Sequence, residues 1–91
     1  MSPYTIQYTP RAVRDLEKLP GDTAHKVVQA IHELREDPYR FIRKIKASGP
    51  RHPVYSFRAQ WDIRVLLSIH DDVLIIHILE VEHRKHSNRD F

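Results

Sequence analysis

Four residues in the second half of the chain combine fixed charge with proton-transfer capacity: Arg64, His83, Arg84 and His86. An unperturbed imidazole titrates near neutral pH, so His83 and His86 can each take or give a proton there. A guanidinium stays charged and offers a planar fork to an oxyanion. These types suit proton transfer beside developing negative charge. The two histidines, three residues apart, also have a spacing that a metal can use. No other motif supplies the remaining ligands, however, and the HExxH pattern is absent. A glycine-rich phosphate loop, a nucleophilic Ser or Cys arrangement and a dinucleotide fingerprint are missing too, and two glycines would hardly build one. The expected metal and cofactor content is none.

Charge placement says what such residues would face. The chain carries a net +3, but residues 38–70 hold seven Lys/Arg against Asp62 alone, whereas residues 1–37 are at −1 and residues 71–91 at −2. A basic middle between nearly neutral ends is the electrostatic footprint of a protein that meets a polyanion. Basic residues that merely solvate loops and strands would give the same count. Ninety-one residues with 41% apolar content support one small domain, residues 1–91, with a modest core. Without cysteine there is no disulfide framework. No apolar run reaches membrane-spanning length and Met1-Ser2-Pro3-Tyr4 has no signal-peptide character, so a cytoplasmic protein with no membrane partner is expected.

The elements that must position these residues follow from periodicity. Tyr4, Ile6 and Tyr8 alternate with polar neighbours as in a half-buried strand. Thr9-Pro10 then supplies an N-cap and a first-turn proline, and Ala12, Val13, Leu16 and Leu19 share one side of the helix that follows. Pro20-Gly21 stops it, and Asp22 or Thr23 can cap a second helix with Ala24, Val27, Val28, Ile31 and Leu34 at helical spacing, closed by Asp37-Pro38. Tyr39 to Lys46 fits a helical turn or a short strand. Val54–Arg58 reads as a strand, residues 59–62 as a connection, and Ile63–His70 and Val73–Val81 as two long strands joined at Asp71-Asp72. A two-residue loop there would set Ile69 against Leu74, Leu67 against Ile76, Val65 against Ile78 and Arg64 against Leu79. One face of the ribbon is then apolar, and the other carries Arg64, Ser68, His70 and His77. The fold class is α+β: an N-terminal strand at an edge or parallel to a later one, a helical hairpin, then an antiparallel three- to four-stranded sheet.

Over nearly its whole length the chain resembles the RelE/ParE superfamily of toxin–antitoxin toxins. The resemblance rests on Ala12-Val13-Arg14-Asp15-Leu16-Glu17-Lys18-Leu19-Pro20, Leu34-Arg35-Glu36-Asp37-Pro38, Lys44-Ile45-Lys46-Ala47-Ser48-Gly49, Tyr55-Ser56-Phe57-Arg58, Ile63-Arg64-Val65-Leu66-Leu67 and Val81-Glu82-His83-Arg84-Lys85. It implies a toxin held by a cognate RelB-like antitoxin, with a toxin–antitoxin heterotetramer as one assembly. In the RelE-like branch, the favoured one, the toxin enters the ribosomal A site and cuts mRNA there without metal, through attack by the RNA's own 2′-OH. In the ParE-like branch the same fold inhibits DNA gyrase and is not a nuclease.

Carried over residue by residue, the resemblance makes Arg64 the strand arginine at the scissile phosphate and Arg84 a second charge stabiliser. His86 or His83 would handle protons, and Lys44, Lys46 and Arg58 would line the RNA path. Two strand lysines and a C-terminal tyrosine of the best-known RelE pattern are replaced here by Tyr55-Ser56-Phe57-Arg58 and by Phe91, and phenylalanine transfers no proton. His86 with Phe91 is closer to the YafQ-like arrangement. Trp61 either stacks an RNA base or caps the core.

Overall fold

The computed structural model describes residues 3–46 and 53–83. Seven elements follow in order: β1 (Thr5–Tyr8), α1 (Pro10–Glu17), α2 (Gly21–Glu33), β2 (Ile42–Lys46), β3 (Val54–Gln60), β4 (Ile63–His70) and β5 (Ile75–His83). They build one five-stranded sheet of order β1-β5-β4-β3-β2. Strands β2 to β5 form an antiparallel meander, and β1 returns to pair in parallel with β5. The α+β class and the parallel seating of the first strand are as expected. Tyr39 to Lys46 resolves in favour of a strand.

Both helices lie on one face of the sheet, α1 against β5 and α2 against β3. Ala12, Leu19, Val27, Ile31 and Leu34 from the helices meet Phe57, Ile63, Val65, Leu67, Ile69, Ile76, Ile78 and Val81 from the sheet, all buried. Each large side chain so buried contributes about 1.5–3 kcal/mol relative to leaving it in water. Helix α1 starts as its sequence demands: the Thr9 hydroxyl accepts from Ala12 N at 3.1 Å, with Pro10 in the first turn. Helix α2 differs from expectation. Pro20 is its N-cap and no side chain caps it; Asp22 instead accepts from the next backbone N–H, that of Thr23.

The turn after β4 also departs from the two-residue reading. It takes four residues, 71–74, so β5 begins at Ile75 and the pairs are Ile69 with Ile76 and Leu67 with Ile78. Leu74 leaves the sheet with φ 57°, a left-handed conformation unusual for a branched side chain. Its carbonyl accepts from Thr5 N at 2.8 Å and so starts β1 beside β5. Turn chemistry explains the difference: a two-residue loop favours glycine at its positive-φ positions, which Asp71-Asp72 lacks. Asp71 serves another purpose. One carboxylate oxygen accepts from the Tyr4 hydroxyl and the other from the Tyr39 hydroxyl, both at 2.6 Å, and Tyr39 packs edge-on against Tyr55. The turn is thereby clasped to the N-terminal segment and to the loop before β2.

Those two bonds, Tyr39's first, hold the Asp71 carboxyl below the usual range. A depressed folded-state pKa means stability that is present above the unfolded value, about pH 4, and lost as pH falls through the lower folded one. Urea midpoints measured from pH 6 down to pH 2 are expected to fall more steeply for the wild type than for Asp71→Asn. Parallel curves would refute the clasp.

Candidate nucleic-acid interface

No helix of the described residues covers the second face of the sheet. In β4 the side chains alternate, Ile63, Val65, Leu67 and Ile69 toward the helices and Arg64, Leu66, Ser68 and His70 toward the second face, where Arg64 is exposed, Leu66 and His70 are half-buried and Ser68 is buried. Arg58 of β3 sits directly opposite Arg64 in the ladder, and both are exposed. Two like charges across a strand pair are destabilising by themselves. Each is partly offset locally. Arg64 donates from Nε (3.3 Å) and Nη2 (3.2 Å) to a single oxygen, Oε1, of Glu82, and Arg58 donates from Nη1 to the Trp61 carbonyl at 3.1 Å. Arg43 of β2, paired with Ser56, adds a third cation to the same face. A row of exposed guanidinium groups along the sheet suits phosphate oxygens of an extended strand.

Glu82 faces Arg64 because β5 carries a bulge. Leu67 pairs with Ile78, yet the next residue back, Leu66, pairs with Glu80, so Leu79 is the extra residue. The insertion turns Val81 into the core and Glu82 outward, opposite Arg64 rather than the Leu79 expected from an unbroken ribbon. Helix α1 holds the bulge in place. The Thr9 hydroxyl donates to the Leu79 carbonyl at 2.7 Å, Thr9 N donates to the Ile78 carbonyl at 3.0 Å, and an Asp15 carboxylate oxygen accepts from Val81 N at 3.0 Å. Glu80 is drawn to Arg11 at 3.4 Å.

The expected site residues divide among several places. Arg58 and Arg64 come together. Lys44 pairs with Tyr55, whose side chain packs against the core, so Lys44 belongs to the helix side of the sheet, and Arg43 takes the position expected of it. Lys46 pairs through its backbone with Val54. Trp61 is 71% exposed in the β3–β4 turn beside Arg58, which excludes the core-capping alternative. His83 pairs with Ile63 and so faces the helix side, away from Arg64; its Nε2 meets an Asp62 oxygen at 3.0 Å and its Nδ1 is buried. A carboxylate only accepts, so Nε2 is the donor. Arg84, His86 and Phe91 lie outside the described residues. Glu82 and Asp62 are the residues that sequence reasoning missed, the first because the bulge was not read. Among the described residues no three His, Asp or Glu side chains converge as a metal site, and no helix is long and apolar enough to cross a membrane.

A second surface lies on the helix side. Tyr8, Val13, Leu16, Leu19, Ala24 and Val28 line an open apolar groove of about 540 Å³ between β1, α1 and α2. Val13 is 42% exposed there, although its helical spacing put it with the core residues. The Tyr8 hydroxyl is buried without a hydrogen-bond partner among the described residues, and burial pushes its pKa up.

A helical hairpin on one side of a five-stranded sheet, with opposed arginines on the other, defines a small α+β domain. Residues 6–88 match the family described as ParE toxin of the type II toxin–antitoxin system, parDE, and the chain belongs to that family within the RelE/ParE superfamily. It is 34% identical over 84 residues to Toxin RelG of Mycobacterium tuberculosis (strain ATCC 25618 / H37Rv), covering 90% of this chain and 92% of that protein. Among solved structures it is similar to the toxin–antitoxin complex RelBE2 of M. tuberculosis, with TM-score 0.79 and 33% identity over 92% of this chain and 94% of that one. The archaeal RelE–RelB complex of Pyrococcus horikoshii shares the fold, with TM-score 0.74 at 22% identity, covering 90% of this chain and 96% of that one.

Proposed function

We propose that this toxin is a RelE-like endoribonuclease that cuts mRNA in the ribosomal A site without a metal ion. The observation that carries the reading is that Arg58 and Arg64 stand opposite each other in the ladder, both exposed, so that two cations are set side by side where an RNA phosphate would be favoured. In this reading a 2′-hydroxyl attacks the adjacent phosphorus, the Arg64 guanidinium stabilises the added charge, Arg58 binds along the RNA path, and Trp61 offers a face for an unpaired base. His83, locked to Asp62, anchors the end of β5 from which Arg84 and His86 continue. Those two residues are proposed as charge stabiliser and proton carrier, with Phe91 and Lys46 as further RNA contacts.

A cognate RelB-like antitoxin is the proposed partner, since the similar structure RelBE2 is a toxin–antitoxin complex. The apolar groove of α1 and α2 offers it an anchor, and the basic sheet face offers an acidic segment a second one. A ParE-like gyrase inhibitor is the second reading, favoured by Phe91, which cannot act as a base.

Ribosomes programmed with a defined mRNA and mixed with the purified protein are expected to yield fragments cut within the A-site codon, while gyrase supercoiling in a parallel reaction proceeds. Intact mRNA with arrested supercoiling would select the second reading. Binding of single-stranded RNA should weaken with salt with a log–log slope of about −0.7 per phosphate neutralised, and Arg58→Ala should reduce that slope by about 0.7. An unchanged slope would remove Arg58 from the contact.

A further inference from the structure

We infer that Glu82 is the general base of the cleavage reaction, a role that rests on the nuclease reading above. Three observations converge on it. Glu82 is the carboxylate that the β5 bulge brings opposite Arg64, so it adjoins the group assigned to the scissile phosphate. Both Arg64 contacts fall on Oε1, and Oε2 makes no hydrogen bond among the described residues, which leaves one acceptor oxygen for a ribose hydroxyl. The nearby alternatives are otherwise engaged: Glu80 is held by Arg11, and His83 faces the opposite side of the sheet with Nε2 on Asp62. A carboxylate beside a phosphate would ordinarily be repelled. Here the groups that face it are Arg64 and, one strand further, Arg58, so the cluster is cationic without it and near balance once a phosphate arrives.

The step balances with the groups named. Oε2 of Glu82 takes the proton from the 2′-hydroxyl as that oxygen forms a bond to phosphorus. The bond from phosphorus to the 5′ oxygen breaks, and the leaving oxygen takes a proton from solvent, directly or through the proton carrier proposed above. The products are a 2′,3′-cyclic phosphate and a 5′-hydroxyl, and Glu82 returns its proton to solvent. Nothing is oxidised or reduced. Arg64 has two successive tasks in this scheme, holding Glu82 in the free protein and sharing its guanidinium with the phosphate in the complex.

The test compares Glu82→Gln and Glu82→Asp with the wild type in single-turnover cleavage of ribosome-bound mRNA, alongside RNA affinity and thermal melting. Glu82→Gln is expected to cut at least about 100-fold more slowly, the usual effect of losing a positioned base. Its RNA affinity should be equal or higher, because a negative charge has left the phosphate site, and the acid limb of the rate–pH profile should vanish. Glu82→Asp should recover part of the rate, and Glu80→Gln should cut like the wild type. Cleavage by Glu82→Gln at the wild-type rate or faster overturns the assignment and leaves Glu82 as a holder of Arg64 alone. A wild-type protein that cuts no mRNA overturns the nuclease reading and this inference with it, an outcome visible before any variant is made.

Discussion

Arg64→Ala is expected to lower mRNA cleavage by about 10²–10³-fold, the usual effect of removing one preorganised donor from a site of developing oxyanion charge. Stability should hardly move. The Arg64 side chain is 57% exposed and its ion pair with Glu82 is open to solvent, so the lost pair is worth at most about 1 kcal/mol. The contrast between a large kinetic and a small thermodynamic effect separates a phosphate-binding arginine from a solvated strand arginine. Arg64→Lys sharpens it further. Lysine keeps the charge but has no fork, so it can neither span two phosphate oxygens nor hold Glu82 through two nitrogens. Its rate should lie between wild type and alanine, while Arg58→Ala, further from Glu82, should act mainly on affinity. Cleavage by Arg64→Ala at the wild-type rate, with a normal melting curve, would remove the residue from the chemistry.

What the sequence made legible follows a physical divide. Elements whose faces are set by strong periodicity were readable: Val27, Ile31 and Leu34 on α2, and Ile63, Val65, Leu67 and Ile69 on β4, all occupy the core expected of them. Thr9-Pro10 announced the start of α1 through its own capping chemistry. Pairing across strands was harder, because register depends on turns and bulges that leave weak local signals. The four-residue turn moved β5 by two positions, and the extra Leu79 then reversed the faces beyond it. Ile75 to Val81 is apolar at five of its seven positions, so an unbroken strand reads as well as a bulged one. Arg64 could therefore be chosen from its type and its neighbours, whereas Glu82 could not be matched to it. Lys44 and Arg43 show the same limit in β2, where adjacent basic residues differ only by the face that register assigns.

The bulge makes Asp15 the residue whose loss should couple the fold to the site most directly. An inserted residue breaks the ladder locally, and Val81 N is satisfied by the Asp15 carboxylate, whose side chain is only 17% exposed. Asp15→Ala removes that acceptor and leaves an N–H facing protein without a partner, at a cost of about 1–3 kcal/mol. For a domain of this size each kcal/mol lowers the melting temperature by about 4–8 °C. Asp15→Asn retains an acceptor oxygen and should lose less. The same substitution has a second consequence, because only the bulged geometry sets Glu82 opposite Arg64. If β5 relaxes to an unbroken ladder, Val81 turns outward and Glu82 leaves the arginine. Asp15→Ala is therefore expected to lose cleavage even at temperatures where melting curves show the variant fully folded, and to lose it more than a core substitution of equal thermodynamic cost, such as Ile31→Val. That comparison separates the two roles of Asp15. Equal residual activity in the two variants would mean that Asp15 only stabilises, and that the facing of Glu82 and Arg64 does not depend on it.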